Sequence, residues 1–168
     1  MCIYLYTGTG AGKTTNALGL VVRMLGHGKK VLMIQFLKWN EKTGEYLFQG
    51  KTTNFELRQF GRKGWHGYNN LNGEDRELCL KGLDYVYQSI VDREVDLLIL
   101  DEVNLATHLG LLTNDEVINL LNRLPYRVNV VLTGRYATKE LMDRADFVNE
   151  IKEVKVPHII PCDEGIQY

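Results

Sequence analysis

Eight consecutive residues near the amino terminus carry the densest chemistry in the chain: Gly8-Thr9-Gly10-Ala11-Gly12-Lys13-Thr14-Thr15. Glycines at this spacing let the backbone fold closely around phosphate oxygens and aim N–H groups inward. A helix starting within the run adds its positive dipole end. Lys13 supplies a mobile positive charge, and Thr14 supplies a hydroxyl suited to a divalent cation. The run predicts a nucleoside triphosphate site, with ATP and Mg2+ (or Mn2+) as the expected ligands. In the common form of such loops, four residues separate the first glycine from Gly-Lys-Ser/Thr, which would put a glycine at Thr7. Here the spacing is Gly-x-Gly-x-Gly-Lys-Thr-Thr, counted from Gly8.

Three further places could take part. Asp101-Glu102 follows the apolar run DLLIL, so both carboxylates should sit at the carboxyl end of a buried strand, where open α/β sheets place their ligands. They are candidates to hold the cation, directly or through water. Thr133-Gly134-Arg135 follows a second such run, and Arg135 there can reach phosphate oxygens. Trp65 lies in a glycine- and asparagine-rich loop from Gly61 to Gly73 and could stack on a large planar ligand or anchor the loop to the core. The four histidines, His27, His66, His108 and His158, show no metal-ligand spacing.

The elements that must position these residues alternate along the chain. Cys2 to Thr7 reads as a strand and Lys13 to Leu25 as a helix, with Ala17, Leu20, Val21, Met24 and Leu25 at helical spacing. Val31 to Phe36 is a strand whose unbroken apolar run implies cover on both faces. Leu37 to Thr53 shows no clear period, and Asn54 to Phe60 alternates like a strand. Glu74 to Asp92 is helical, with Cys79, Leu83, Val86 and Ile90 on one stripe. Asp96 to Leu100 and Val128 to Thr133 are further buried strands. Thr113 to Glu116 fits a capping box that opens a helix. Thr138 should cap a short helix ending at Arg144, and Phe147 to Lys155 a last strand. The expected fold is α/β: a mostly parallel sheet with helices on both faces, of P-loop NTPase (RecA-like) architecture. Residues 1–168 should form a single nucleotide-binding domain.

Composition narrows the function classes. An apolar fraction of 45% and a charged fraction of 24% are those of a water-soluble globular chain. A net charge of -1, with only short basic pairs, gives no nucleic-acid surface. Three scattered cysteines, Cys2, Cys79 and Cys162, make neither a disulfide framework nor a zinc ribbon. No secretory leader or membrane-length apolar stretch is apparent, so a cytoplasmic protein is expected, without membrane partners.

Several segments together resemble the ATP:corrinoid adenosyltransferases of the CobA/CobO/BtuR type. They are YTGTGAGKTTNALGLVVRMLGHGKKVLMIQFLK, LLILDEVNLATHLGLLTNDEVI, VVLTGRYATKELMDRADFVNEIKEVK and the terminal GIQY, and they run over nearly the whole chain. The shortened glycine spacing is that family's variant of the loop. The resemblance implies transfer of the 5′-deoxyadenosyl group of ATP to the cobalt of a reduced corrinoid such as cob(I)alamin, with inorganic triphosphate leaving. It implies that Lys13, the loop N–H groups and magnesium stabilise the triphosphate. Thr14 and Glu102 would hold the magnesium with Asp101 behind them. Thr9 would lie beside the nucleotide, Arg135 would be a phosphate contact, and Arg23 matches a family arginine on the first helix. Trp65 matches a tryptophan that presses on the corrin. The family commonly has Phe where this chain has Lys63, and His where it has Val156. The resemblance also implies a homodimer and allows a partner reductase. Two other readings use the same loop: an ATPase or small-molecule kinase releasing ADP, and a non-catalytic nucleotide or corrinoid binder.

Overall fold

A computed structural model describes residues 1–64, 66–159 and 163–166. Six strands alternate with helices: β1 Ile3–Thr7, α1 Lys13–Gly26, β2 Val31–Phe36, α2 Gly44–Gln49, β3 Phe55–Phe60, α3 Gly73–Asp92, β4 Leu97–Asp101, α4 Val103–His108, α5 Asn114–Arg123, β5 Asn129–Thr133, α6 Lys139–Arg144 and β6 Phe147–Glu150. A single 3-10 turn, Tyr68–Asn70, interrupts the loop before α3. The strands form one sheet in the order β3-β2-β4-β5-β1-β6, and every pairing is parallel. The sheet is therefore wholly parallel, where the sequence indicated a mostly parallel one.

The central strands read as unbroken apolar runs because each face of the sheet has its own core. Leu32, Ile34 and Phe36 of β2 point to one face with Leu98, Leu100, Val130 and Leu132. Cys79, Leu83, Val86 and Ile90 of α3 and Val117, Leu120 and Leu121 of α5 cover that face. Val31 and Met33 point to the other with Leu97, Ile99 and Val131, under Ala17 and Val21 of α1. Successive strand side chains alternate between faces, so both phases of each strand must be apolar. The stripe expected on α3 is the one that is buried.

Boundaries at helix starts follow side-chain caps. Thr113 Oγ1 accepts from Glu116 N at 3.2 Å while Thr113 N donates to Glu116 Oε2 at 2.8 Å, the reciprocal pair expected for α5. Thr138 accepts from Leu141 N at the start of α6. Three elements differ from the sequence reading. α2 falls within the stretch left without a period, because none of its residues is buried and no apolar stripe marks it. α4 buries Val103 to Thr107 without a break, which erases any helical period. β6 stops at Glu150 rather than Lys155, and all four of its residues are exposed on the sheet edge. Among the described residues, no helix is long and apolar enough to cross a membrane.

Candidate functional site: the carboxyl edge of the sheet

In a wholly parallel sheet every strand ends on the same edge, so residues distant in sequence converge there. β4, β5 and β1 are consecutive neighbours in the sheet, with β2 beside β4. The residues just past these strands turn sharply. Leu37 after β2 (φ 61°), Glu102 after β4 (φ 62°) and Tyr136 after β5 (φ 57°) are the non-glycine residues with left-handed backbones among those described. Each such residue costs about 1 kcal/mol or more. The turn at Leu37 carries Lys38 back across the strand ends to Asp101.

The loop after β1 has a shape set by distant residues. Gly8 and Gly12 both have φ of 102°. Ile151, just past β6, holds the loop from outside: its N donates to Thr7 O at 2.8 Å, and its carbonyl accepts from Gly10 N at 2.9 Å. A Cβ on Gly8 would lie 2.3 Å from the Ile151 carbonyl oxygen, so no side chain fits there. α1 then starts with no side-chain cap and no acid in its first turn. Uncapped N–H groups at a helix start form an anion site. Lys13 is buried, and its Nζ donates to the carbonyls of Gly8 (2.9 Å) and Gly10 (2.6 Å). Burial pulls its pKa below the usual lysine value, opposed by the charge of Glu102.

Asp101 is fully buried, and four donors saturate its carboxylate. Oδ1 accepts from Thr14 Oγ1 (2.9 Å) and Thr133 Oγ1 (2.5 Å), while Oδ2 accepts from Gln35 Nε2 (3.0 Å) and Lys38 Nζ (2.7 Å). Burial alone would raise its pKa, but the Lys38 charge and these hydrogen bonds outweigh it and hold the group below the usual carboxylate value. The same balance leaves Lys38 above its usual value: burial lowers it, and Asp101 and Glu102 more than compensate. The two form a charged pair. Strand register extends the network sideways, because Gln35 is opposite both Asp101 and Gln59. Gln59 Nε2 donates to Gln35 Oε1 at 2.9 Å, so a polar row crosses three strands behind the site.

Glu102 differs sharply from its neighbour. Its backbone N donates to Thr133 Oγ1 at 3.1 Å, but its side-chain Oε2 is buried without a hydrogen-bond partner. Burial, and then the charge of Asp101, raise its carboxyl pKa. A buried carboxylate oxygen without a partner is a costly arrangement that a bound cation would relieve. Thr14 and Glu102 therefore fit a magnesium ion that keeps waters and takes its other oxygens from phosphates. Among the described residues no cluster of three or more His, Cys, Asp or Glu could hold a metal by itself.

The remaining expected residues are placed as follows. Thr9, Ala11, Gly12 and Thr15 are exposed on the loop. Arg135 is exposed at the end of β5, and its charge acts on both Lys13 and Glu102. Arg23 is not brought to the loop: it sits ten positions beyond Lys13 on α1, about 15 Å by helix rise, where its charge acts on Tyr6. Trp65 lies outside the described residues. Sequence reasoning missed Lys38, Gln35 and Tyr68. A polar Gln inside VLMIQF was the available signal for the first two. The Tyr68 hydroxyl is raised above its usual pKa by burial and then by Glu102, which places this loop residue over the same edge.

A glycine loop before an uncapped helix, two lysines and an acid with an open oxygen have chemistry suited to a triphosphate, which many nucleotide enzymes share. Sequence comparison separates them. The profile of the family described as ATP:corrinoid adenosyltransferase BtuR/CobO/CobP matches residues 1–168. The chain belongs to this family. It is 32% identical to the corrinoid adenosyltransferase of Escherichia coli over 154 residues, 91% of this chain and 77% of that protein. It is 33% identical to the corrinoid adenosyltransferase CobA of Salmonella typhimurium, over the same shares of the two chains. The corrinoid adenosyltransferase of Pseudomonas aeruginosa is 33% identical over 162 residues, 91% of this chain and 75% of that protein. Family membership makes the chain a transferase, and favours adenosyl transfer over the ATPase and kinase readings.

Proposed function

We propose that this chain transfers the 5′-deoxyadenosyl group of ATP to the cobalt of a reduced corrinoid, and that the carboxyl edge of the sheet is built to receive the triphosphate that leaves. The cobalt of the cob(I) substrate supplies the electron pair that forms the cobalt–C5′ bond. The C5′–O5′ bond breaks, and its electrons leave on the triphosphate. No protein base is required, because the nucleophile carries no proton. The protein's contribution is alignment of the two substrates and stabilisation of the departing charge. The observation that carries this reading is the uncapped start of α1 beside buried Lys13, next to the open oxygen of Glu102.

In this mechanism Lys13 gives up the Gly8 and Gly10 carbonyls and turns to triphosphate oxygens. Thr14 and Glu102 would hold a magnesium ion, which when bound would supply Lewis-acid neutralisation of the triphosphate. Asp101, saturated by its own partners, orients the Thr14 hydroxyl from behind. Arg135 reaches the phosphates from the end of β5. Tyr68 stands within electrostatic reach of Glu102 at this edge, and in this reading the loop that carries it supplies the surface for the corrin, with Trp65 as the proposed stacking residue. The reductant is a separate reductase or chemical donor, and a homodimer is the expected assembly.

One assay tests the reading. ATP, magnesium, a corrinoid and a strong reductant should yield the absorbance of a carbon–cobalt product with stoichiometric triphosphate. ADP released without any corrinoid, and no cobalt–carbon product, would replace this reading with that of an ATPase.

A further inference from the structure

Lys38 carries a cation into the heart of the edge, and no role assigned so far explains it. Its Nζ lies 2.7 Å from Asp101 Oδ2 and 3.2 Å from Thr14 Oγ1. The ammonium thus shares the hydroxyl oxygen proposed for the magnesium ion, while Glu102 beside it keeps an oxygen without a partner. The placement is built. Leu37 adopts its left-handed backbone immediately before Lys38, and Leu37 N donates to Phe60 O at 3.1 Å. Gly61 closes against the same turn: a Cβ there would lie 2.5 Å from Lys38 N and 2.8 Å from Lys38 O. Although Lys38 is on a flexible stem, its side chain is only 29% exposed.

We infer that Lys38 is a stand-in for the divalent cation, a positioning residue whose ammonium holds Thr14 and Asp101 in place and excludes free metal until a metal–nucleotide complex arrives. This rests on Thr14 and Glu102 being the metal-holding residues. A dication on Thr14 Oγ1 would meet the ammonium within a few ångströms, and at that range like charges repel strongly even in a partly screened site. The metal therefore enters only when triphosphate oxygens are present to receive the displaced ammonium. The result is a site that binds cation and nucleotide as one unit. It also keeps buried Asp101 neutralised through the rest of the cycle, since an uncompensated buried carboxylate would destabilise the edge.

Mn2+ binding read by electron paramagnetic resonance tests this without corrinoid or turnover. The wild-type chain should bind no Mn2+ at millimolar concentration without nucleotide and should bind one with ATP present. Lys38→Met and Lys38→Gln should each bind Mn2+ without nucleotide, at least about tenfold more tightly than wild type. The gain should vanish in the Lys38→Met/Glu102→Gln double variant. Each single variant should also melt earlier than wild type and recover on adding Mn2+, whereas wild type should not respond. Equal Mn2+ affinity in folded variants and wild type would overturn the inference. So would tight nucleotide-independent Mn2+ binding by wild type, a result available even if both variants fail to fold. A failure to make a carbon–cobalt bond would count against the transferase reading alone, because none of these readouts involves it.

Discussion

The strand-end edge and the 61–73 loop meet over one site but are built in opposite ways. At the edge, three polar side chains are held before any ligand arrives: Asp101 by four donors, Lys13 by two carbonyls, Thr14 by Asp101 and Lys38. The loop is tied to the start of α3 and to itself. Arg62 anchors it through buried Asp75 at 2.9 Å and the Asn70 carbonyl, and Asn70 bonds back to His66 O. Tyr68 is 45% exposed, and Tyr136 across from it 50%. Charge on a leaving group is stabilised best by dipoles and cations that need not reorganise. A broad, largely apolar ring system is recognised by surface that it can itself cover. Each half of the site has the rigidity its proposed substrate calls for.

The comparison predicts where substitutions act. Lys13→Ala should have the largest effect, lowering ATP affinity roughly 100-fold, since a buried charge-assisted contact contributes about 2–3 kcal/mol. Calorimetric titration with ATP checks this, and loss of only a few-fold would mean that the loop N–H groups suffice. Gly8→Ala should cost about 2 kcal/mol or more in stability by forcing a side chain into Ile151 and into a left-handed backbone. Denaturant melts would show it, and ATP binding should fall with it.

Trp65→Ala should leave ATP affinity unchanged while lowering corrinoid-dependent turnover about tenfold, the scale of one aromatic contact. Equal loss of both would erase the division between edge and loop. The smallest effect concerns Tyr68. Its phenol should titrate above the ordinary value of 10.0, because burial and the Glu102 anion both oppose ionisation. Glu102→Gln removes the second cause, so the pKa should fall toward that value, as read by NMR of ring-labelled tyrosine. No movement would separate the loop from the edge.

Much of this architecture was legible in the residues. The strands of the core announce themselves because two-sided burial leaves no polar position, as in Val31 to Phe36. The α5 start was readable because capping boxes are local. The triphosphate loop was readable for the same reason, since glycines, lysine and threonine sit side by side. What could not be read is whatever depends on sheet order. Lys38 meets Asp101 only because β2 and β4 pair in a particular register. Ile151 meets Gly8 only because β6 adds beside β1. Arg23 shows the converse: helix rise separates its backbone from a loop that is close in sequence.

That pairing of Ile151 with the loop has a consequence for how the protein is made. Thr7 to Gly10 take their shape from hydrogen bonds to Ile151, a residue synthesised more than a hundred positions later. At translation speeds of roughly 5–20 residues per second, the nascent chain passes roughly 7 to 30 seconds without the contacts that shape its glycine loop. The shaped loop therefore forms only after β6 has docked beside β1.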